Sequence, residues 1–486
     1  MWKSEKAAQP NSVSRMCRDT LALIMAGGRG TRLQQLTLYR AKPAVHFGGS
    51  YRIIDFTLSN CINSGIRRIG VLTQYKSHSL IKHLQTGWSF MGGNPGEFIE
   101  LLPADQNPEN DHWYAGTADA VYQNIECIRA HRPQHVLVLA GDHIYKMDYA
   151  PMLAHHVASK AQVTIGCIEV PIQEANQFGV VEMDADTRIH DFVEKSSTPK
   201  AIPGKPGRAL ASMGIYVFDV QFLLDRLHDD ASMEVSVHDF GRDVIPDAIR
   251  AGRVYAYQFR DLQDNSRPGY WRDVGTVDAY WKANMELCGI EPPLNLYDEN
   301  WPIWTRQEHV PPAKFMYDDG GERGLAMDSM VSGGCIVAGA TVQRSVLFVR
   351  ACVDAGSIVE DSLLLPNASI GRGCRIRKAI IDAGCVVPDG MSIGIDPISD
   401  AQHFYRSPSG VTLVTRDMLA RFVASAQASL PMLTQAPAVT SSTRTDERSV
   451  YPISVRANRK LEAASHSDRL RNEARINAGK SNAGKS

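Results

Sequence analysis

Nearly unbroken apolar runs mark the first part of the chain. They occupy residues 21–25, 69–73, 136–139 and 163–168. Between the first two runs, residues 54–62 place apolar side chains at helical spacing and end at an Asn-Ser-Gly stop signal. Strands that alternate with helices are typical of a parallel sheet with crossover connections. The pattern therefore predicts an α/β domain with a parallel sheet, whose ligands bind at the carboxyl ends of the strands.

Other segments follow different patterns. Residues 179–183 and 189–195 alternate polar and apolar positions and predict paired strands. Residues 86–111 are rich in Gly, Pro and Asn and predict a loop. Residues 239–243 lead into a helix that we expect to end near Pro246.

A period of six replaces these patterns in the last third of the chain. The apolar positions that define it are Ile336, Val342, Leu347, Val353, Ile358, Leu364, Ile370, Ile376, Ile381, Val387 and Ile393. They stand six residues apart within groups and five apart between groups. Short strands with a corner every six residues give this spacing, as in hexapeptide β-helices. An irregular β meander is the alternative.

These patterns divide the chain into five parts. We expect a flexible N-terminal extension over residues 1–18 and a catalytic α/β domain over residues 19–295. A linker over residues 296–330 follows, because Pro292-Pro293 and Pro311-Pro312 mark a break in composition. The β-helix then covers residues 331–424. Residues 425–486 are rich in Ala, Ser, Thr and Arg and predict a disordered tail.

The first apolar run ends in a glycine-rich turn, Ala-Gly-Gly-Arg-Gly, at residues 26–30. Glycine lets the backbone bend sharply and lie against a ligand. Four cations follow within a short stretch: Arg29, Arg32, Arg40 and Lys42. The combination favours a phosphate-binding turn over a turn with solvated charges. It is neither a P-loop nor a dinucleotide fingerprint, because the lysine and the third glycine of those motifs are missing.

Further candidates follow other predicted strands. Asp142 stands just after the run at residues 136–139, where α/β sheets hold divalent metal beside phosphates, although a helix cap is the alternative. Gln74 follows the second strand and should face the same crevice. Gly116 and Thr117 open a helix whose free backbone donors could bind a base edge or a phosphate, with simple capping as the alternative. Asp273 is a second isolated acid beside a glycine turn.

Composition limits the possible partners and compartment. The chain has 486 residues, a net charge of -1 and 44% hydrophobic residues, which argues against nucleic acid or an anionic membrane as the main partner. Its first residues lack the apolar stretch of a signal peptide, and apolar runs are too short to span a membrane. Nine cysteines without a Cys-x-x-Cys pair suggest neither a disulfide framework nor a zinc site. We therefore expect a cytoplasmic protein.

Several stretches together resemble the sugar-nucleotide pyrophosphorylases, in particular their ADP-glucose (glucose-1-phosphate adenylyltransferase) branch. They are residues 21–33 with the glycine turn, 40–49 (Arg-Ala-Lys-Pro-Ala-Val-His-Phe-Gly-Gly), 52–56 (Arg-Ile-Ile-Asp-Phe), 113–120, 139–146, 212–216 and 270–275. The resemblance covers about residues 19–424. It implies a glycosyltransferase-A-like (Rossmann-like) nucleotidyltransferase domain followed by a left-handed parallel β-helix, and a homotetramer regulated by glycolytic metabolites.

The resemblance also implies the reaction. ATP and α-D-glucose 1-phosphate would give ADP-glucose and pyrophosphate with Mg²⁺, the activated-glucose step of glycogen biosynthesis. Activators would be sugar phosphates or pyruvate, and the inhibitor would be AMP-like. The phosphate of glucose 1-phosphate is already an anion, so positioning and charge neutralisation must supply the rate.

Site residues follow by matching motifs, together with the positions discussed above. The ATP-binding set is Gly27, Gly28, Gly30, Thr31, Gln74, Gly116 and Thr117. The catalytic set is Arg32, Lys42 and Asp142, and the metal ligands are Asp142 and Asp273. The glucose-1-phosphate set is Tyr114, Gly179, Glu194, Lys195, Ser212, Tyr216, Asp239 and Trp271. Arg40 is the regulatory residue.

The chain departs from the family pattern at two positions. Ser196 replaces the proline that usually follows Lys195, and Tyr39 stands where many bacterial members have a basic residue. The second departure leaves the activator open. Three alternatives remain at this point: a pyrophosphorylase specific for UDP-glucose, dTDP-glucose or GDP-mannose, a non-catalytic regulatory subunit, and a hexapeptide-repeat acyltransferase.

Overall fold

The computed structural model describes residues 10–104, 113–264, 266–318 and 320–428. Within these residues the helices α1 to α11 are Pro10–Arg18, Ile53–Asn63, His78–Gly87, Thr117–Tyr122, Ile125–His131, Ala150–Ala158, Val220–Ala231, Ile245–Ala251, Val277–Met285, Pro397–His403 and Arg416–Ala428. Short 3₁₀ turns include Thr31–Thr37 and Lys42–Ala44. No helix in the described part of the chain has the length and apolar character needed to cross a membrane.

The strands fall into two groups along the chain. Strands β1 to β13 are Thr20–Met25, His46–Phe47, Tyr51–Arg52, Arg68–Thr73, Phe98–Pro103, His135–Ala140, His143–Tyr145, Val163–Pro171, Gly179–Met183, Ile189–Glu194, Arg208–Asp219, Val254–Gln258 and Trp271–Asp273. Strands β14 to β29 are Lys314–Met316, Leu325–Met327, Met330–Val331, Ile336–Ala338, Thr341–Gln343, Val346–Leu347, Cys352–Val353, Ile358–Glu360, Leu363–Leu364, Ser369–Ile370, Arg375–Arg377, Ala379–Ile381, Val386–Val387, Ser392–Ile393, Tyr405–Arg406 and Thr412–Val414.

A nine-stranded sheet forms the first domain. Its main path runs β10-β9-β11-β6-β1-β4-β5, with β8 on β11 and β12 on β8. Strands β6, β1, β4 and β5 are parallel neighbours, whereas β11 runs antiparallel to β6. The predicted apolar runs are these buried central strands, and Leu21, Leu23 and Ile24 of β1 have no exposed surface.

The second domain is a parallel β-helix of three sheets. Strands β14-β17-β20-β23-β26 form one side, β15-β18-β21-β24-β27 a second, and β16-β19-β22-β25-β29 with β28 the third. Each coil stacks on the next in parallel register, as in the series Val342, Val359 and Ile376, which pair in neighbouring coils. The fold class predicted from the sequence, a Rossmann-like α/β domain followed by a parallel β-helix, is thereby confirmed.

Two of the apolar positions that defined the period of six do not point into the coil, so the prediction is wrong at these two positions. Ile336 and Ile358 are only half-buried, and the side chains that fill the coil are their neighbours Val337 and Val359, both fully buried. The error arises because two β-branched residues stand side by side at each point, and side chains alternate across a strand. The nine other positions are buried as predicted.

One hydrophobic cluster joins the two domains. Buried side chains of the third β-helix sheet, such as Leu363 and Ile380, belong to the same cluster as Val45, Phe47 and Tyr280 of the first domain. Polar contacts reinforce it, since the Trp281 indole donates to the Asp361 carbonyl over 2.8 Å. The β-helix therefore completes the core beside the 3₁₀ turn Lys42–Ala44.

Several predicted boundaries differ from the structure. Residues 10–18 form helix α1 instead of a loose extension, because Cys17 is buried in the core; residues 1–9 lie outside the described part. The first coil begins at Lys314, inside the predicted linker. Helix α11 extends to Ala428, so the predicted tail starts later, and residues 429–486 lie outside the described part.

Two local predictions are also wrong. Within the predicted loop at residues 86–111, the structure contains the 3₁₀ turn Ser89–Gly92 and the edge strand β5, which pairs with β4. Residues 105–111 of that range lie outside the described part. Pro246 does not end a helix but occupies the first turn of α8, where its missing N–H costs nothing. A π-helical turn, Phe240–Val244, leads into it.

The corrected register of the β-helix can be tested in strand β21. We expect Val359→Ala to lower the free energy of unfolding by about 2 kcal/mol, because it removes two buried carbon atoms and leaves a cavity. Ile358→Ala should cost roughly half as much or less, although it removes one more carbon atom. Chemical denaturation followed by circular dichroism gives the comparison. A larger loss for Ile358→Ala would contradict this register.

Candidate active site

The glycine turn follows β1 directly and forms one wall of a cleft. Gly30 has φ +62°, a conformation that favours glycine, and a Cβ built there would lie 3.0 Å from the Lys42 Cβ. A Cβ on Gly27 would lie 3.1 Å from the Gln74 Cβ. In contrast, apart from Gly28 and its two chain neighbours, no described atom lies within 4 Å of a Cβ built on Gly28, which lines the open cleft. The turn is therefore packed against neighbouring side chains at Gly27 and Gly30 and open to the cleft at Gly28.

Sheet register brings the other strand ends to the same place. Met25 of β1 pairs with Leu72 of β4 and with Ala140 of β6. Because these strands are parallel, Gln74 and Asp142 follow at the same edge as the glycine turn. A Cβ at Gly141 would press on β1, only 2.8 Å from the Ile24 side chain, which explains the small residue before Asp142.

A separate pair of short strands adds the second acid. Strand β13 runs antiparallel to β7, and Asp273 pairs with His143. This pairing places Asp273 beside Asp142, although the two are far apart in sequence. Within the described residues, Asp142, His143 and Asp273 each offer a ligand atom, and these atoms all lie within 4.8 Å of one another.

Lys42 lies between the two carboxylates. Its Nζ donates to Asp142 Oδ2 over 2.8 Å and to Asp273 Oδ1 over 2.7 Å. Only 6% of the lysine side chain is exposed, compared with 35% for Asp142 and 14% for Asp273. Arg32, more than half exposed, donates from Nη2 to Asp273 Oδ2 over 3.2 Å. The three predicted catalytic residues and the second metal ligand thus form one charged cluster.

Mutual attraction keeps Lys42, Asp142 and Asp273 ionised. Burial alone lowers the pKa of Lys42, but attraction to the two carboxylates outweighs burial, so its pKa is raised. Burial likewise opposes the charge of Asp142 and Asp273, yet the Lys42 ammonium and His143 hold the pKa of both carboxyls below the usual range. The carboxylates are therefore available as ligands at neutral pH, and two oxygen donors beside a phosphate-binding turn fit a divalent cation.

The cleft in front of this cluster has a volume of about 900 Å³. Every residue of the predicted ATP-binding and catalytic sets lines it: Gly27, Gly28, Gly30, Thr31, Gln74, Gly116, Thr117, Arg32, Lys42 and Asp142. The sequence reasoning missed Tyr75, Lys76 and Trp113, which also line it. Tyr75 and Lys76 could have been found, since they directly follow Gln74 at a strand end.

The segment at Gly116 and Thr117 differs from its prediction. Backbone N–H groups of Ala118 and Asp119 donate to the His238 carbonyl, so the helix start does not present these donors to a ligand. A Cβ on Gly116 would lie 2.1 Å from the same carbonyl oxygen. Thr117 Oγ1 donates to Asp239 Oδ2 over 3.0 Å. This segment is therefore fixed to the loop before the π-helical turn.

The predicted glucose-1-phosphate residues form a looser group. Tyr114 and Asp239 line the cleft, and Asp239 also caps the π-helical turn by accepting from the backbone N–H of Gly241 and Arg242. Glu194 lies against both Gly179 and Gly241, since a Cβ on either glycine would be 2.8 Å from its Oε2.

The remaining members of this group surround the same side of the sheet. Lys195 extends from the end of β10, pairs with Glu194 over 3.1 Å and is 55% exposed. Ser212 Oγ donates to Tyr216 Oη over 3.4 Å. Trp271 packs edge-on against His143 with ring centroids 4.8 Å apart, and its buried Nε1 has no hydrogen-bond acceptor among the described residues. Trp271 is not among the residues that line the cleft.

Arg40, the predicted regulatory residue, lies at the contact with the β-helix rather than in the cleft. Its Nη2 is 3.0 Å from Asp382 Oδ1, and both side chains are largely buried. Tyr39 donates from its hydroxyl to Asp417 Oδ2 over 2.7 Å. Arg40 and Tyr39 therefore connect the first domain to the second domain, at the end of β25 and at the start of α11.

Comparison with known proteins gives two family matches. Residues 21–289 match the nucleotidyl transferase family, and residues 311–414 match the GlmU-like C-terminal hexapeptide family. These two ranges correspond to the α/β domain and to the β-helix described above.

Individual relatives match most of the chain. Glucose-1-phosphate adenylyltransferase 2 of Alkalilimnicola ehrlichii is 60% identical over 410 residues, which cover 84% of this chain and 96% of that protein. The glucose-1-phosphate adenylyltransferase of Nitrosococcus oceani is 58% identical over 84% of this chain and 96% of that protein. The enzyme of the same name from Nitrosospira multiformis is 56% identical over 85% of this chain and 97% of that protein. The resemblance found in the sequence is confirmed. The chain belongs to the glucose-1-phosphate adenylyltransferase family of nucleotidyl transferases.

Proposed function

We propose that this chain transfers the adenylyl group of ATP to α-D-glucose 1-phosphate, forming ADP-glucose and releasing pyrophosphate. The observation that carries this proposal is the buried Lys42 held between two carboxylates beside a glycine turn. The names of its relatives support the same reaction. ATP and glucose 1-phosphate are thus the proposed substrates.

The attacking group needs no general base. A phosphate oxygen of glucose 1-phosphate is already negative near neutral pH and attacks the α-phosphorus of ATP, and pyrophosphate leaves from that phosphorus. Positioning and neutralisation of charge supply the rate in such reactions. This requirement matches a site rich in fixed cations and glycine backbone.

On this proposal the glycine turn binds the triphosphate. Gly27, Gly28, Gly30 and Thr31 hold its phosphates against their backbone, and Gln74 with the segment at Gly116 and Thr117 holds the rest of the nucleotide across the cleft. Gly28 supports this assignment because it faces open space. A backbone without side chains permits close approach of a phosphate.

Lys42 and Arg32 neutralise the charge that develops. An ammonium group carries three hydrogens, and Lys42 donates two of them to Asp142 and Asp273. We assign the third to an oxygen of the α-phosphate. Arg32, which is more exposed, is placed to reach the leaving pyrophosphate.

Asp142 and Asp273 are the proposed ligands of Mg²⁺. This ion takes one or two carboxylates together with substrate phosphates, which suits the two acids and the neighbouring cleft. When bound, Mg²⁺ would offset negative charge on the phosphates. Lys42 contributes to metal binding by keeping both carboxylates ionised.

The sugar phosphate is assigned to the region of β10 and β11 in the large sheet and of β13 in the separate two-stranded sheet. Lys195 binds its phosphate, and Glu194 orients that lysine through their ion pair. Trp271 supports this region by packing edge-on against His143, the neighbour of Asp142. The other predicted members, Tyr114, Gly179, Ser212, Tyr216 and Asp239, shape the pocket around it.

Wider roles are part of the same proposal. We infer a homotetramer that supplies ADP-glucose for glycogen in the cytoplasm, with sugar phosphates or pyruvate as activators and an AMP-like inhibitor. The nine cysteines are free thiols, as is usual in a reducing compartment. Arg40 supports a regulatory role by its place at the contact between the domains.

A coupled assay of pyrophosphate release tests the reaction. ATP should support turnover with glucose 1-phosphate, whereas UTP, dTTP and GTP should support much less. Fructose 6-phosphate, fructose 1,6-bisphosphate, pyruvate and AMP are then added in turn to identify effectors. Preference for another nucleotide, or no turnover with any of the four, would contradict the proposal.

Lys42→Ala should lower kcat by about 10²–10³-fold, because the variant loses the cation that neutralises charge in the transition state. Lys42→Arg keeps the charge but not the compact geometry, and we expect an intermediate loss. Steady-state kinetics at saturating substrates measure both. Near-full turnover by Lys42→Ala would show that the charge cluster is not the reaction centre.

Lys195→Ala should raise the KM for glucose 1-phosphate by about tenfold or more and leave kcat less affected, since Lys195 is assigned to ground-state binding. The matched control is Lys200→Ala, a nearby exposed lysine paired with Glu182. The control should leave both constants unchanged. If the two variants behave alike, Lys195 does not bind the sugar phosphate.

Alanine at two positions of the glycine turn separates ligand contact from folding. Gly28→Ala should leave stability unchanged, because its Cβ meets no described atom, but should raise the KM for ATP if phosphates lie against the turn. Gly30→Ala should also destabilise the protein by about 1 kcal/mol, because its φ is positive and its Cβ would press on Lys42. Thermal unfolding and ATP titrations measure the pair. An unchanged KM for Gly28→Ala would place the nucleotide elsewhere.

A further inference from the structure

A second group of potential metal ligands lies outside the cleft. Glu100 on the edge strand β5 and Cys127 and His131 on helix α5 each offer one ligand atom, and these atoms lie within 4.8 Å of one another. None of the three was singled out by the sequence, because no Cys-x-x-Cys pair signals the group and its acid lies on another element. The reaction proposed above makes no use of them.

Secondary structure holds the two softer ligands together. Cys127 and His131 stand four residues apart on α5, so both side chains lie on one face of the helix. The His131 ring stacks on Phe98 of β5 with centroids 4.4 Å apart, which fixes its orientation. Arg68 donates to the His131 carbonyl and anchors the end of the helix to the neighbouring strand β4.

The two distances from Glu100 match those of a tetrahedral zinc site, and the third pair of ligand atoms lies within 4.8 Å. Glu100 Oε2 is 3.6 Å from the Cys127 Sγ and 3.2 Å from the His131 Nε2. With ordinary zinc bond lengths, ligand atoms in a tetrahedral site lie about 3.5 Å apart. The side chains would therefore need little movement to bind an ion.

The mixture of donors determines which ion fits. One thiolate, one imidazole and one carboxylate suit Zn²⁺ or a similar borderline metal, whereas Mg²⁺ prefers oxygen alone. Burial and the neighbouring Glu100 raise the pKa of Cys127 to about 11, so an ion must displace the thiol proton. His131 is 27% exposed and Glu100 46%, which leaves access from solvent.

We propose that Glu100, Cys127 and His131 form a binding site for Zn²⁺, one ion per chain, with water as the fourth ligand. The bound ion fastens the edge strand β5 to helix α5. These elements flank the cleft segment in sequence, since β5 precedes Trp113 and Tyr114 while α5 follows Thr117. The site is separate from Asp142 and Asp273, whose group contains no cysteine.

Cobalt titration tests the proposal, because Co²⁺ occupies zinc sites and a thiolate ligand gives it a charge-transfer absorption. The untagged full chain is stripped with a chelator and titrated with Co²⁺, then with Zn²⁺. We expect one Co²⁺ per chain with thiolate absorption, displaced by Zn²⁺. The proposal would be overturned if no Co²⁺ bound, and equally if Co²⁺ bound without the thiolate absorption.

Variants assign the ligands. Cys127→Ser should abolish the thiolate absorption, and His131→Gln and Glu100→Gln should each weaken metal binding by at least about tenfold. Controls are Cys352→Ser, another half-buried thiol in strand β20, and Glu126→Gln, an exposed acid on the same helix. Both controls should bind as the original chain does. Absorption that survives in Cys127→Ser would overturn the assignment.

Discussion

The site is organised by a lysine side chain that is almost completely buried and therefore needs negatively charged partners. Removing an ammonium from water costs several kcal/mol unless ion pairs and hydrogen bonds compensate for it. Lys42 finds two carboxylates, from residues 100 and 231 positions further along the chain. Satisfying one charge therefore brings β6, β13 and the 3₁₀ turn Lys42–Ala44 together. The same contact holds the pKa of both acids below the usual range, and Asp142 lines the cleft.

The β-helix takes part in holding this turn. Arg40 and Lys42 stand two residues apart, and the first pairs with Asp382 of the β-helix while the second pairs with the acids of the cleft. Val45 and Phe47, just beyond, are buried in the cluster shared by the two domains. Displacement of the second domain would thus disturb the backbone that carries Lys42. The extended core makes the β-helix part of the support of the site.

Local patterns predicted most of the fold, because the central strands are continuous apolar runs and the coils repeat their inward residues. Failures occurred where neighbouring residues satisfy the same pattern, as at Ile358 and Val359, or where burial depends on distant contacts, as for Cys17 in α1. The ATP-binding and catalytic residues that line the cleft were predicted from strand ends and motifs, whereas Tyr75, Lys76 and Trp113 were missed. Local patterns could not predict that Lys42 bonds to both Asp142 and Asp273, because only the pairing of β13 with β7 brings these two acids together. The occupied donors at the start of α4 were missed for a similar reason, because their acceptor, His238, belongs to a remote loop.

Two groups of ligands on one chain need not compete for the same ion. Asp142 and Asp273 present hard oxygen donors and share a lysine, and Asp142 lines a cleft suited to phosphates, so an ion held there would have to keep positions open for substrate. Glu100, Cys127 and His131 combine sulfur, nitrogen and oxygen on the outer edge of the sheet. Hard ions such as Mg²⁺ bind thiolate poorly, whereas zinc gains most from sulfur and imidazole. Donor chemistry thus separates a site that must exchange phosphates at every turnover from one that can remain occupied throughout.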